Sequence, residues 1–221
     1  MQEAKRRKFH TINDFQDFKH QKEKVVKISL SFDELESIFN LDLSSTPRLE
    51  KVRDLFLVGA YTGLRFSDFV AIKPDHIFEE QGKRYIMLHT QKTNTQVTIP
   101  LLPIPAQILQ KYHFTTPKLS NQKMNAGLKE LGEIAQLNEK IVDVRTKGGK
   151  RVDQTFKKWE KLSSHAARRS FATNFFLKGV PAAVLMQITG HSTERQFMQY
   201  INVNQKTNAS RFAELATDIL M

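Results

Sequence analysis

Between Ser163 and Tyr200 the chain reads SSHAARRSFATNFFLKGVPAAVLMQITGHSTERQFMQY, and this stretch holds two histidines, several arginines and one tyrosine. A guanidinium keeps its charge and offers a planar fork of donors that fits phosphate oxygens. An imidazole can move a proton near neutral pH. A phenol, with a reference pKa of about 10, attacks only as its proton leaves. Together these types suit attack on a phosphodiester, whose anionic oxygens repel a nucleophile unless positive donors surround the developing charge.

Three consecutive helices must present these groups. Ser163 and Ser164 can cap a helix start, and Gly179 stands where that helix should stop. His165 and Arg168 are three apart and share a face of it, while Phe171, Phe175 and Phe176 supply apolar docking surface. Pro181 can open a second helix with Val184, Leu185 and Ile188 as its buried side. Gly190 ends it and leaves His191 at a helix–helix junction. Ser192 and Thr193 can cap a third helix, with Tyr200 about two turns in.

This arrangement resembles the C-terminal half of the tyrosine recombinases, the phage-integrase family. The resemblance rests on H-x-x-R at His165 and Arg168, G-H at Gly190 and His191, and a tyrosine nine residues beyond that histidine. Upstream, T-G-L-R-x-S-D at Thr62 to Asp68 matches the family's first arginine motif, in which Glu is common in place of Asp68. Alone, Arg65 would be an ordinary surface arginine after a helix stop; beside the downstream motifs it is a catalytic candidate. The family also places a lysine on a β-turn. Lys92, in the turn Gln91-Lys92-Thr93-Asn94, fits that slot better than Lys83 in the neighbouring turn. The resemblance spans about residues 28 to 203.

What the resemblance implies is a site made of Arg65, Lys92, His165, Arg168, His191 and Tyr200. Tyr200 would be the nucleophile, forming a 3′-phosphotyrosine link and releasing a 5′-hydroxyl. Arg65 and Arg168 would hold the phosphate, His191 would donate to a non-bridging oxygen, His165 would take the tyrosine proton, and Lys92 would protonate the leaving oxygen. Neither ATP nor a metal is expected as cofactor: the chain has no P-loop, no H-E-x-x-H and no carboxylates at metal-ligand spacing. Double-stranded DNA is the implied partner, with a homotetramer on two DNA sites, a monomer when free, and accessory DNA-bending proteins. A type IB topoisomerase uses a similar residue set as a monomer, and a non-catalytic DNA-binding protein could keep the same fold. The short spacing from His191 to Tyr200 favours the recombinase.

Composition is consistent with such a partner. Among 221 residues, Lys and Arg number 34 against 23 acids, a net charge of +11, which favours polyanions. There is no cysteine, which excludes disulfide and thiol chemistry. No apolar run is long enough to span a bilayer, and the charged start MQEAKRRKFH lacks the core of a secretory signal. The resemblance implies a location in the bacterial cytoplasm, on DNA.

The remaining periodicity predicts an α+β fold, mainly α-helical with a small antiparallel β-sheet. Residues 1–27 read as a basic linker or tail carrying Lys5, Arg6, Arg7 and Lys8, either solvated or a strap on phosphates. No room is expected there for the separate DNA-binding domain that the family normally carries. Ser31 and Glu34 form a capping box for a helix to about Leu41, with Leu35, Ile38 and Phe39 facing the core. Pro47 begins a longer helix with Leu49, Val52, Leu55, Phe56 and Tyr61 at helical spacing, stopped by Gly63. Ile77-Phe78, Arg84 to Thr90 and Thr95 to Pro100 read as strands; Pro103 to Tyr112 and Asn121 to Gln136 read as helices, with Asn121 as cap. Residues 140–158 read as two strands around a basic turn, where Lys147, Lys150 and Arg151 are candidate DNA contacts or merely solvated. Trp159 reads as packing. Residues 204–221 form a tail in which Ser210 could cap an amphipathic helix bearing Phe212, Leu215, Ala216 and Ile219. That helix could pack on its own domain or dock on a neighbouring protomer.

Overall fold

The structure is a computed structural model and describes residues 3, 6, 7, 26–147, 150–201, 203 and 205–220. In chain order the helices are α1 (Phe32–Phe39), α2 (Pro47–Thr62), α3 (Phe66–Phe69), α4 (Pro103–Lys111), α5 (Asn121–Ile134), α6 (Ser164–Leu177), α7 (Ala182–Thr189), α8 (Glu194–Tyr200) and α9 (Gln205–Leu220). The strands are β1 (Ile77–Glu80), β2 (Lys83–His89), β3 (Gln96–Pro100), β4 (Lys140–Lys147) and β5 (Lys150–Lys157). The first three form an antiparallel sheet in the order β1-β2-β3, and β4 and β5 pair separately. This is the mainly helical α+β class with a small antiparallel sheet.

The chain divides into two compact units, residues 1–26 with 142–154, and residues 27–141 with 155–221. Of the first, Arg6 and Arg7 turn onto Glu3 at 2.7 and 2.9 Å. Exposed pairs of this kind contribute little stability. Lys5 and Lys8 lie outside the described residues.

The second unit is built around α2. Pro47 sits in its first turn, and Leu49, Val52, Leu55, Phe56 and Tyr61 are all buried. It packs against α6, α5 and α4. Its stop is doubly constrained. Gly63 has φ 67°, which favours a residue without a Cβ, and a Cβ there would collide with the Phe171 ring of α6. The reversal that follows aims Arg65 from the start of α3.

Several local expectations match what folds and others do not. The Ser31–Glu34 capping box is present, with Glu34 N–H donating to Ser31 at 3.2 Å and Ser31 N–H to Glu34 at 2.8 Å. On β2, Ile86 and Leu88 turn inward while Met87 and His89 turn out. By contrast, Ser163 takes the cap position of α6 but its side chain caps nothing. The Ser164 N–H donates instead to the side-chain oxygen Oδ1 of Asn125 in α5 at 2.7 Å, so a neighbouring helix does the capping. Ser120, not Asn121, caps α5, accepting from Lys123 N–H. Val184, expected inside, is 48% exposed, because Leu185 alone of that pair faces Phe197 and Phe171. The last helix starts at Gln205, which leaves Ser210 inside it rather than capping it. Trp159 packs against Gly132 of α5.

Candidate active site

The buried helix α6 carries one wall of the site. Arg168, only 3% exposed, donates from Nη1 to the Gly63 carbonyl at 2.7 Å. The carbonyl that ends α2 thus holds the arginine that follows His165 by one turn. Burial, and then the neighbouring Arg65, pull the Arg168 guanidinium down to about 10. Asp68 and Tyr200 act in the opposite sense.

Arg65 approaches from the α2–α3 turn. A Cβ added at Gly190 would lie 3.6 and 3.7 Å from its two terminal nitrogens, so the guanidinium rests against the left-handed stop of α7, where φ is 58°. That stop turns the chain so that the next residue, His191, faces the same space.

Three rings meet there. Tyr200, at the end of α8, lies 5.4 Å edge-on from His165 and 4.7 Å from His191, centroid to centroid. Its hydroxyl is buried and no described group meets it with hydrogen-bond geometry. Arg168 is close enough to favour the phenolate, as are Arg169 and Arg65, but burial outweighs them and pushes the phenol above its ordinary value. His191 is pulled down to about 4, first by burial and then by Arg168, Arg65 and His165. The exposed His165 is lowered too, by burial of its inner side and by Arg169, Arg168 and Arg65. Both imidazoles are therefore neutral at pH 7.

Lys92 comes from the β2–β3 turn and is exposed. The buried carboxylate of Asp68 accepts from the Gln91 N–H at 2.8 Å, and the Gln91 side-chain amide donates to the Ser67 carbonyl at 3.0 Å. These bonds tie the residue before Lys92 to the helical turn that begins at Arg65. Within the turn, Thr90 and Thr93 share a hydroxyl hydrogen bond of 2.8 Å, and Asn94 takes a positive φ of 49°. Lys83 starts β2, at the opposite end of that strand from this turn.

Two groups were not anticipated from the sequence. Arg169 places its guanidinium 5.2 Å from the Tyr200 ring centre and donates to the Ile28 carbonyl at 3.1 Å. Its i,i+4 spacing from His165 was the available signal. Asp68 belonged to the arginine motif, but nothing in the sequence linked it to Gln91. The backbones of Lys147, Lys150 and Arg151 lie in β4 and β5, and their side chains are outside the described residues.

The site is a cage of three guanidiniums and two neutral imidazoles around a buried phenol. Its cations suit an anion with several oxygens. The fold is that of the tyrosine recombinase catalytic domains. A lambda integrase fragment, solved as a dimer on a core site, superposes with a TM-score of 0.65 at 19% identity, covering 91% of this chain and 68% of that one. The XerA recombinase gives 0.60 at 16%, covering 86% and 66%. The Tn1549 transposon integrase with a circular-intermediate DNA gives 0.66 at 15%, covering 96% and 74%. The family model described as "Phage integrase family" matches residues 29–207, and the chain belongs to that family. A XerC-like tyrosine recombinase of Caldanaerobacter subterraneus subsp. tengcongensis is 25% identical over 191 residues, covering 72% of this chain and 48% of the relative. The chain thus spans about half the length of that curated relative.

Proposed function

We propose that this chain cuts and rejoins double-stranded DNA at particular sites through a covalent link to Tyr200. The observation that carries this reading is the buried Tyr200 hydroxyl, held among His165, Arg168 and Arg169 of α6, Arg65 of the α2–α3 turn and His191 of the α7–α8 junction. Arg65 and Arg168 bind the non-bridging oxygens of one phosphate and stabilise the charge that develops on them. The phenol gives its proton to a neighbouring imidazole, and its oxygen attacks phosphorus. A Tyr200–phosphate bond forms and the bond to the 5′ oxygen breaks. Lys92 protonates that oxygen, leaving a 3′-phosphotyrosine and a free 5′-hydroxyl. Attack by a 5′-hydroxyl on the phosphotyrosine reverses these steps and reseals a strand. Bond energy is kept in the intermediate.

The same reading extends to assembly. Lambda integrase has been solved as a tetramer on a Holliday junction, and we take a homotetramer as the working form here. Phe212 of α9 is 74% exposed, which favours docking of the tail on a neighbouring protomer. Residues 28–203 would be the catalytic domain and 1–27 a basic linker. Lys147, Lys150 and Arg151 would meet phosphates, accessory proteins could bend the DNA, and the working place would be the bacterial cytoplasm.

The test is capture of a protein–DNA adduct in EDTA on nicked duplexes with a randomised centre. The parent should form it and Tyr200→Phe should not. An adduct that survives the substitution would mean that another residue attacks.

A further inference from the structure

Thr189 closes α7 and is fully buried. Its hydroxyl donates to the Leu185 carbonyl at 2.6 Å, the back-bond open to a threonine in a helix. A hydroxyl has one hydrogen to give. The same oxygen lies 2.9 Å from Nδ1 of His191. A hydroxyl that gives its hydrogen to Leu185 can only accept at Nδ1, and that arrangement calls for the imidazole proton on Nδ1. In a neutral imidazole Nε2 is then an acceptor. A histidine fixed this way cannot donate from Nε2 to a phosphate oxygen until it has gained a second proton.

A proton source stands beside it. The Tyr200 ring is 4.7 Å away, and its hydroxyl is a buried donor with no hydrogen-bond partner among the described residues. The other groups whose charge reaches His191 are Arg168, Arg65 and His165, and none of them is a carboxylic acid or a phenol. We propose that Thr189 is a positioning residue that fixes His191 as the Nδ1–H tautomer, so that His191 takes the Tyr200 proton at Nε2. The inference rests on the cleavage reading above. It moves the proton acceptor from His165, the exposed ring, to His191. The O–H bond of Tyr200 breaks, an N–H bond forms at Nε2, and the phenolate oxygen bonds to phosphorus. The resulting imidazolium donates from both nitrogens, from Nδ1 to Thr189 and from Nε2 to a non-bridging oxygen. Donation to the phosphate follows proton transfer instead of preceding it. In rejoining, the same proton returns to the departing phenolate.

The experiment uses the full chain with ¹⁵N-labelled histidine, observed by long-range ¹H–¹⁵N correlation at pH 7 without DNA. His191→Gln assigns the signal. The parent should show a protonated Nδ1 and a bare Nε2. Thr189→Val should lose that preference and slow single-turnover cleavage of a nicked duplex by at least about 10-fold. Thr189→Ser should restore both. A bare Nδ1 in the parent overturns the proposal, as does a Thr189→Val protein with unchanged tautomer and rate. If Thr189→Val does not fold, the parent and Thr189→Ser spectra decide. A protonated Nδ1 without any adduct would sink the cleavage reading while the tautomer assignment stands; a protonated Nε2 with a normal adduct would do the reverse.

Discussion

The two halves of the site are held very differently. Helix α2 buries eleven of its sixteen residues, and α6, which packs on it, buries nine of fourteen. Helix α7 buries two of eight and α8 one of seven. Arg168 therefore sits on this deeply packed pair of helices and Arg65 in the turn that closes α2, while His191 and Tyr200 sit on a thinly anchored segment. Donors for a developing charge work best when they are fixed before the reaction. A nucleophile that must enter and leave a covalent bond tolerates, and can use, a looser mount. Elements of low local stability are where such motion is found.

The sharpest way to break this contrast is to remove one fully buried phenylalanine from each half. Phe56 in α2 and Phe197 in α8 are both 0% exposed. Phe56→Ala should cost about 3–5 kcal/mol of global stability by denaturant unfolding. Phe197→Ala should cost clearly less globally, because α8 can open alone, yet should lose most of its cleavage. Equal losses of stability would mean that α8 is part of the same cooperative unit as α2.

Arg168→Ala should reduce cleavage by about 10²–10³-fold. It also strips the Gly63 carbonyl of its donor, which should cost about 1–3 kcal/mol of stability. Arg65→Ala should show a comparable rate loss with little change in unfolding, since Arg65 is only partly buried and lies on the α7 stop. A large stability loss at Arg65 would erase the distinction between an arginine built into the core and one laid on the site.

Acid should separate the halves further. The folded pKa of His191 is about 4, well below the ordinary histidine value of 6.5, so the unfolded chain binds more protons between those two values. The stability that comes from keeping His191 neutral is present above pH 6.5 and is lost as pH falls from 6.5 towards 4. His165 shifts in the same direction. Unfolding measured across this window should lose stability with acid, and His191→Gln should flatten the slope. At the small end, Ser31→Ala removes the side-chain cap of α1 and should cost about 1 kcal/mol without altering cleavage.

Much of this arrangement was legible in the chain because it depends on local rules. The H-x-x-R spacing, the glycine stops at Gly63 and Gly190 and the Ser31–Glu34 box each need only neighbours within a few residues. What the sequence hid depends on contacts between distant elements. Asn125 caps α6 across 39 residues of chain, and Asp68 reaches Gln91 across 23. Val184 lies outward because the position of α7 on α6 is set by Leu185 and Phe197, not by the periodicity of α7 alone. Arg169 was masked by its neighbour, since its purpose depends on where α8 brings the Tyr200 ring.

The proposed cleavage makes the Tyr200 oxygen the covalent link between this fold and DNA. Digestion of the trapped adduct and mass spectrometry of the modified peptide measure that link directly. A nucleotide should be found joined through its 3′-phosphate to the peptide containing Tyr200. A nucleotide on any other residue, or one joined through a 5′-phosphate, would contradict it.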